Sequence, residues 1–484
     1  MVVPELEPGY EIPAIVESGR LEKLVQDLLR SGGRSPVLHS TQAEAIQEYL
    51  PALFPQQGID LDHVAAELAA TAGTYYRKNT HPGMHAYVAG PGLPTDPFAH
   101  ALVAALNQNV TGYHSAPGAT TIERTIIRWF CKLAGLPGES EGLFLGGGSW
   151  ANLTAMVVAV YQALGAAGRE QGIQSGITPV IIAAESVHFS VSRAAMVMGL
   201  GQAAIETVPI DSDYRMDSRV LRERCQAVSE DSAKKLCCVI ATAGTTAIGA
   251  IDPLHDIADL CAEHQVWMHV DAAYGGAALL SPDLRSRLAG IERADSITVD
   301  LHKWAYLAFD ASMLLYRQPA KAREVFGFQA DYARFDNVSE PEHHTFLEMS
   351  PEVSRRARAI PAYLAWRHFG QEVLGRNVKH NADCARYLAE LVDASDDMEL
   401  MVMPLLSICC FRYLPVKLKG NLPDIDELNV NIVETLARDG DYLLSPTLIN
   451  RRPVLRVCIC SHKTRASHME ELLVTVRAIG ESLL

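Results

Sequence analysis

A mostly parallel, doubly wound α/β sheet in one large domain, with a helical segment before it and a small α+β domain after it, is the fold class that the sequence predicts. Two observations predict it. Between about residues 98 and 370, short β-branched runs alternate with helical stretches, the pattern of strands joined by crossover helices. Beyond about residue 371 the order becomes helix, strand, helix, strand, helix. The chain has 484 residues, 48% of them hydrophobic and 20% charged, which is ample apolar surface for such cores. That balance excludes a disordered or collagen-like chain.

Residues 1–85 form the N-terminal helical segment. Within it LEKLVQDLLR and AEAIQEYLPALF repeat apolar positions at three- and four-residue spacing, so about 18–72 reads as helix. The Gly- and Pro-rich stretch HPGMHAYVAGPGLPTDP, from His81 to Pro97, reads as a loop-like boundary. Residues 86–370 form the large domain. Its expected strands are Gly142–Leu145, Pro179–Ala184, Leu236–Thr242, Val266–Val270, Ser296–Val299 and Ser312–Tyr316, with helical patterns between most of them. Residues 371–484 form the small domain, in which SICCFRYL and PVLRVCICS read as strands. No internal repeat or low-complexity tract is visible.

Composition narrows function. The formal charge is −15, so the chain has no broad electrostatic reason to bind phosphate backbones, and no nucleic-acid partner is expected. Ten cysteines in 484 residues are too few for a disulfide scaffold. Several lie in apolar runs (Cys237 and Cys238, Cys409 and Cys410, Cys458 and Cys460) and read as buried small hydrophobes in a reducing compartment. There is no CxxC pair, and no metal site is expected. MVVPELEPGYEIP has neither a basic n-region nor an apolar h-region. No apolar run of about 18 residues suggests a membrane span, and a cytoplasmic location is expected. Sequons occur at Asn109, Asn152 and Asn337, which carry no meaning in a cytoplasmic protein.

Five places carry potential chemistry, and four of them have two readings. In LFLGGGSWANLTAMVVAV, a short strand gives way to Gly146, Gly147, Gly148 and Ser149 and then a long apolar helix. This is a phosphate seat at a helix N-terminus or simply a tight turn; it lacks the Lys of a Walker A motif. In WMHVDAAYGG, Asp271 ends an apolar strand. It is a helix cap, or a carboxylate that keeps a heteroaromatic nitrogen protonated. In SITVDLHKW, Lys303 follows His302 at another strand end. It is solvated, or its amine is desolvated with a lowered pKa, the condition for forming a Schiff base. In AESVHFS, His188 is a hydrogen-bonded loop residue or a flat ring lying on a cofactor. In ATAGTT, Thr242 closes a further strand. Taken together, a phosphate seat, a ring-stacking His, a strand-end Asp and a strand-end Lys are what pyridoxal phosphate needs.

The motifs HPGMHAY, GGGSWAN, the His188 loop, ATAGTT, HVDAAYGG, DSITVDLHKW and VLRVCICS resemble the group II amino-acid decarboxylases, from about residue 70 to the end. The resemblance implies a fold-type-I enzyme that uses pyridoxal 5'-phosphate. It makes Lys303 the Schiff-base lysine, Asp271 the carboxylate on the pyridine nitrogen, and His188 the imidazole stacked on the ring near the substrate carboxylate. It places Gly148 and Ser149 in the phosphate-binding turn, helped by His302, with Thr242 and Ala273 lining the pocket. Asp300 stands where many animal members carry Asn, and Trp150 and Ala151 replace more usual small polar residues. Tyr332, in EVFGFQADYARFDNVSEPEHH, matches the loop tyrosine that protonates the substrate α carbon after CO2 leaves. Arg355 and Arg356 resemble a structural or interface arginine pair, and Ser354 lies where the family tunes pocket size. The family also implies a homodimer with active sites at the subunit interface.

On this reading the partner is a small L-amino acid. Tyr87 matches an aromatic position that faces substrate in the aromatic decarboxylases, while Val88 departs from the Phe common there. No Arg clearly dedicated to a side-chain carboxylate is visible. Aromatic amino acids (Trp, Tyr, Phe, Dopa-like) therefore come first, giving amine and CO2. The alternatives are His, Glu or diaminobutyrate as substrate, or an aldehyde synthase that couples decarboxylation to oxidative deamination. A lyase or aminotransferase of the same fold type is a further rival. A nucleotide-binding oxidoreductase is disfavoured because GLGQAA, Gly199–Ala204, follows a helical run and not a strand. A non-catalytic interaction protein is disfavoured by the full Lys, Asp, His and Tyr set.

Overall fold

The computed structural model describes residues 18–30, 36–39, 42–52, 56–173, 176–327, 344–418 and 420–484. Two compact units divide at Lys78 and Asn79. In the first, the helix Gly19–Arg30 packs on Leu61–Ala70, whose first turn is capped by the Asp60 carboxylate accepting from Asp62 N at 2.9 Å. The continuous helix expected from AEAIQEYLPALF is cut to Ala43–Gln47. Pro51 offers no N–H and disfavours helical backbone at Leu50, so the periodicity there is not realised as helix.

The strands of the second unit are β1 (Met84–His85), β2 (Glu141–Leu145), β3 (Thr178–Ala184), β4 (Ile205–Val208), β5 (Lys234–Thr242), β6 (Trp267–Asp271), β7 (Ser296–Asp300), β8 (Ser312–Tyr316), β9 (Met398–Val402), β10 (Ile408–Tyr413), β11 (Leu443–Leu444), β12 (Thr447–Ile449) and β13 (Arg452–Cys458). The large sheet runs β2-β8-β7-β6-β5-β3-β4. All its pairs are parallel except those of β8, which is antiparallel to both neighbours. Strands β6, β7 and β8 are buried at every residue; β6 and β8 accordingly read as mostly apolar runs, while β7 (SITVD) also buries the polar Ser296, Thr298 and Asp300. The six expected strands all form, shifted or extended by at most two residues. β4, an edge strand of four residues (IETV), carried too short a pattern to be read.

This topology sends Leu145, Ala184, Thr242, Asp271 and Asp300 to one edge of the sheet, the carboxyl edge where open α/β sheets bind ligands. Helix Gly148–Gln171 starts there and lies against the sheet with Ala151, Ala155, Met156 and Ala159 buried. It is long and apolar enough to cross a membrane by length and composition, and half of its apolar window is buried inside the fold as a core helix. Its run is broken at Gly165, where φ is +66°.

The C-terminal sheet is antiparallel, in the order β12-β13-β10-β9. Helices Ala359–Asp393, Leu422–Asp439 and Ala466–Ser482 cover it through Leu388, Phe411, Ile432, Val457 and Leu472. The sequence patterns showed only β10 and β13 of these strands, because β9 and β12 are short and partly exposed. Helix Ala359–Asp393 runs across residues 370 and 371 and is interrupted at Gly370. All ten cysteines are buried and free.

Candidate active site

At the carboxyl edge of the large sheet lies a cavity of about 350 Å³. Its lining includes Gly148, Ser149, His188, Thr242, Asp271, Ala273, Asp300, His302 and Lys303, which come from five separate strand ends and loops. A larger cavity of about 600 Å³ opens at the opposite strand ends, beside Lys235, Trp267, Asp295 and Arg317, and contains none of these residues.

The Gly-rich turn has a steric basis. Gly147 has φ +152°, and a Cβ on Gly148 would lie 2.6 Å from Asp300 Oδ2. Only glycine lets the start of helix Gly148–Gln171 come this close to the end of β7. Trp150 and Ala151 N–H both donate to Gly147 O, at 3.0 and 3.1 Å, which leaves the Gly148 and Ser149 N–H groups at the helix start without a helical acceptor beside the cavity that both residues line.

Asp271 is the last residue of β6 and is almost fully buried. Its Oδ1 accepts from Ala273 N at 3.1 Å and its Oδ2 accepts from Asn152 Nδ2 at 2.8 Å. It therefore closes a local turn after β6 and does not cap a helix, since the following helical turn Gly275–Leu280 has Tyr274 at its N-cap, and it lines the cavity as a carboxylate. His188 lies just beyond β3, with Nδ1 2.8 Å from Ser190 Oγ. Burial is the largest influence on its pKa and lowers it, against the pull of Asp271.

Lys303 corrects one expectation. Burial does push its amine pKa down, but Asp300 and Asp271, with the hydrogen bond to Asp300, outweigh burial and the net direction is up. Its Nζ stands 2.8 Å from Asp300 Oδ2. Asp300 is held below its ordinary value: burial raises it, and Lys303 and His302 more than reverse that. Its Oδ1 accepts from Ser312 Oγ at 2.5 Å. His302 is fixed through Nδ1, 2.9 Å from Ala311 O, with Nε2 3.9 Å from Asp300 Oδ2. Thr242 is tied to its strand by Asp252, whose Oδ2 accepts from Thr242 N at 2.7 Å, while the Thr242 hydroxyl is buried without a partner.

The structure does not bring every expected residue to this cavity. Tyr87 is 59% exposed, Val88 packs against the main core, and Ser354 is exposed; none lines the cavity. Tyr332 lies outside the described residues. Arg355 is buried, donating to Glu123 Oε1 and Phe144 O at 2.6 Å, and Arg356 is exposed with Nη2 2.8 Å from His100 Nδ1. Conversely, Asn152, Ser190 and His269 went unread: Asn152 stood out only as a sequon, yet it is buried beside Asp271. A signal for His269 existed. It is two residues before Asp271 on one strand and so shares its face.

The donor set fits pyridoxal phosphate. One cavity holds an amine, a strand-end carboxylate, an imidazole, an unpartnered threonine hydroxyl and a helix N-terminus suited to an anion. Residues 44–414 match the model of the pyridoxal-dependent decarboxylase conserved domain. The chain is 30% identical over 463 residues to an aromatic-L-amino-acid decarboxylase of Bacillus atrophaeus, covering 95% of this chain and 94% of that protein. It is also 30% identical over 432 residues to an L-2,4-diaminobutyrate decarboxylase of Rhizobium meliloti (strain 1021), covering 88% and 83%. Among solved structures, Oryza sativa TDC with PLP and tryptamine superposes with a TM-score of 0.89 at 26% identity, covering 96% of this chain and 97% of that one.

Proposed function

The chain belongs to the pyridoxal-dependent decarboxylase family and is a pyridoxal-phosphate-dependent amino-acid decarboxylase; on that premise we propose that its substrate is an aromatic L-amino acid, released as the amine with CO2. The observation that carries the substrate class is the cavity lining. Among the described lining residues Lys303 is the only Lys or Arg, so no second fixed cation is present to pair with a side-chain carboxylate, and Trp150 and Phe309 offer exposed aromatic faces. The likeness to the Bacillus atrophaeus enzyme along nearly the whole chain supports the same class.

When bound, pyridoxal phosphate supplies a conjugated, protonated ring that takes up the electron pair released as the bond from the α carbon to the carboxylate breaks. The protein's part is placement and charge. Lys303 provides the amine that holds the cofactor's aldehyde carbon. Asp271 would hold negative charge for the ring nitrogen, and the turn Gly148–Ser149 would offer main-chain donors to the phosphate. Thr242, Ala273, Asp300 and His302 would complete the wall around the cofactor, and His188 would lie beside it and near the substrate carboxylate. Tyr332 delivers a proton to the α carbon after CO2 leaves; a phenol of ordinary pKa near 10 suits a strongly basic carbon.

Two experiments test this. The purified holoenzyme is offered the twenty L-amino acids and diaminobutyrate, and CO2 and amine are measured. Trp, Tyr or Phe should lead in kcat/KM; a lead by diaminobutyrate, His, Glu or Asp would overturn the aromatic assignment. Tyr332→Phe should keep CO2 release and move the product from amine toward aldehyde, ammonia and peroxide, with O2 consumed. Wild-type amine output from that variant would remove Tyr332 as the proton donor.

A further inference from the structure

Along the cavity wall and behind it, seven side chains form one hydrogen-bonded network, buried except for the half-buried His188. Trp267 Nε1 donates to Ser296 Oγ at 2.8 Å, and Ser296 Oγ lies 2.8 Å from His269 Nδ1. His269 Nε2 lies 3.1 Å from Asn152 Oδ1. Asn152 Nδ2 donates both to Asp271 Oδ2 at 2.8 Å and to Ser190 Oγ at 3.1 Å. Ser190 Oγ lies 2.8 Å from His188 Nδ1.

The direction of every link follows from its two ends. An indole N–H can only donate, so Ser296 Oγ accepts from Trp267 and has its own proton to give to His269 Nδ1. His269 then carries its proton on Nε2 and donates to Asn152 Oδ1. Burial supports this neutral form, lowering the His269 pKa to about 4 against the pull of Asp271 and the Ser296 main chain. Turning the Asn152 amide over would set Oδ1 against a carboxylate oxygen, acceptor against acceptor, so Nδ2 faces Asp271 and Ser190. Ser190 Oγ, already accepting from Asn152, gives its proton to His188 Nδ1. The Ser190 main-chain N–H points at the same nitrogen from 3.3 Å. Two donors converge on Nδ1, which leaves the His188 proton on Nε2, the nitrogen on the far side of the ring.

We infer that this chain sets the tautomer of His188, so that His188 meets the cavity as a neutral imidazole carrying its proton on Nε2, a hydrogen-bond donor aimed at the substrate. Asn152 and Ser190 are the positioning residues, and Asn152 orients Asp271 and His188 through one amide. The value of this tautomer to catalysis rests on the role proposed above for His188; the tautomer itself is a property of the protein alone.

The test is a measurement of ring 15N resonances in histidine-labelled protein, with and without pyridoxal phosphate, the His188 signals being identified by their loss in His188→Gln. Wild type should show Nε2 protonated and Nδ1 bare. Asn152→Asp keeps the shape, shares one proton with Asp271 across their 2.8 Å contact, and turns the donor facing Ser190 into an acceptor. Ser190 should then reverse, and the His188 proton should move to Nδ1. Ser190→Ala leaves only the longer main-chain bond and should give a mixture of tautomers, with kcat down about fivefold to tenfold. A wild-type proton on Nδ1, or a folded Asn152→Asp that keeps it on Nε2 alone, overturns the inference. If Asn152→Asp does not fold, Ser190→Ala decides by the same signals, and an unchanged spectrum overturns it. A fully active His188→Gln with the wild-type spectrum as expected would instead count against the catalytic role of His188 and leave the relay standing.

Discussion

Lys303→Ala should abolish turnover while leaving the fold and most of the cofactor pocket in place. Lys303 is the only lysine or arginine among the described lining residues, so no neighbouring amine can replace it. Wild-type protein should be yellow, and borohydride should bleach the band and leave cofactor on the peptide that contains Lys303. The alanine variant should show neither effect, although Asp271, Thr242 and the Gly148–Ser149 turn can still bind cofactor without a covalent bond. Asp300 and Asp271 outweigh burial and hold the Lys303 amine protonated. Covalent uptake needs the neutral amine, so colour should develop faster in cofactor-free protein as pH rises toward the raised pKa. A wild-type protein that stays colourless with added pyridoxal phosphate, or an alanine variant that turns over, would end this assignment.

Asp271→Asn should lower kcat on the order of 10²-fold or more, the usual cost of removing a preorganised charge. The substitution isolates charge from shape. An Asn oxygen can still accept from Ala273 N, as Asp271 Oδ1 does at 3.1 Å, so the turn after β6 stays closed. What disappears is the negative charge that would face the ring nitrogen, and with it the acceptor for Asn152 Nδ2. Kinetics on the loaded variant, with thermal stability measured alongside, separate the two roles. A near-wild-type rate would mean that Asp271 acts only to close that turn.

Much of this site was legible because its residues occupy ends of elements. Asp271, Thr242 and Lys303 each follow a short run rich in β-branched and apolar residues that reads as a buried strand, and a parallel sheet gathers such ends on one edge. The glycines before Ser149 announce a strand-to-helix turn, and the structure supplies their reason in the close approach of Asp300 to Gly148. Short-range patterns failed where stability comes from neighbours. AEAIQEYLPALF has helical periodicity that Pro51 interrupts, and β4, β9 and β12 are short strands formed by pairing with a longer partner.

The sequence by itself determined the α/β class, the order of strands and helices that builds the sheet, and the identities of the amine, carboxylate and imidazole expected to carry the chemistry. The class and the order depend on local periodicity; the choice of Lys303, Asp271 and His188 rests on the combination of motifs and on their resemblance to the decarboxylase family. Tertiary structure decided the electrostatic state of those groups and their support. Whether the Lys303 amine is pushed down by burial or up by carboxylates depends on Asp300, three positions before it, together with Asp271, which the sheet brings to it from the end of β6. That Asn152 is a relay residue and not a sequon depends on contacts with Asp271, 119 positions away, and Ser190, 38 positions away. Coulombic and hydrogen-bond energies depend on distance in space, and chain separation carries no direct record of that distance.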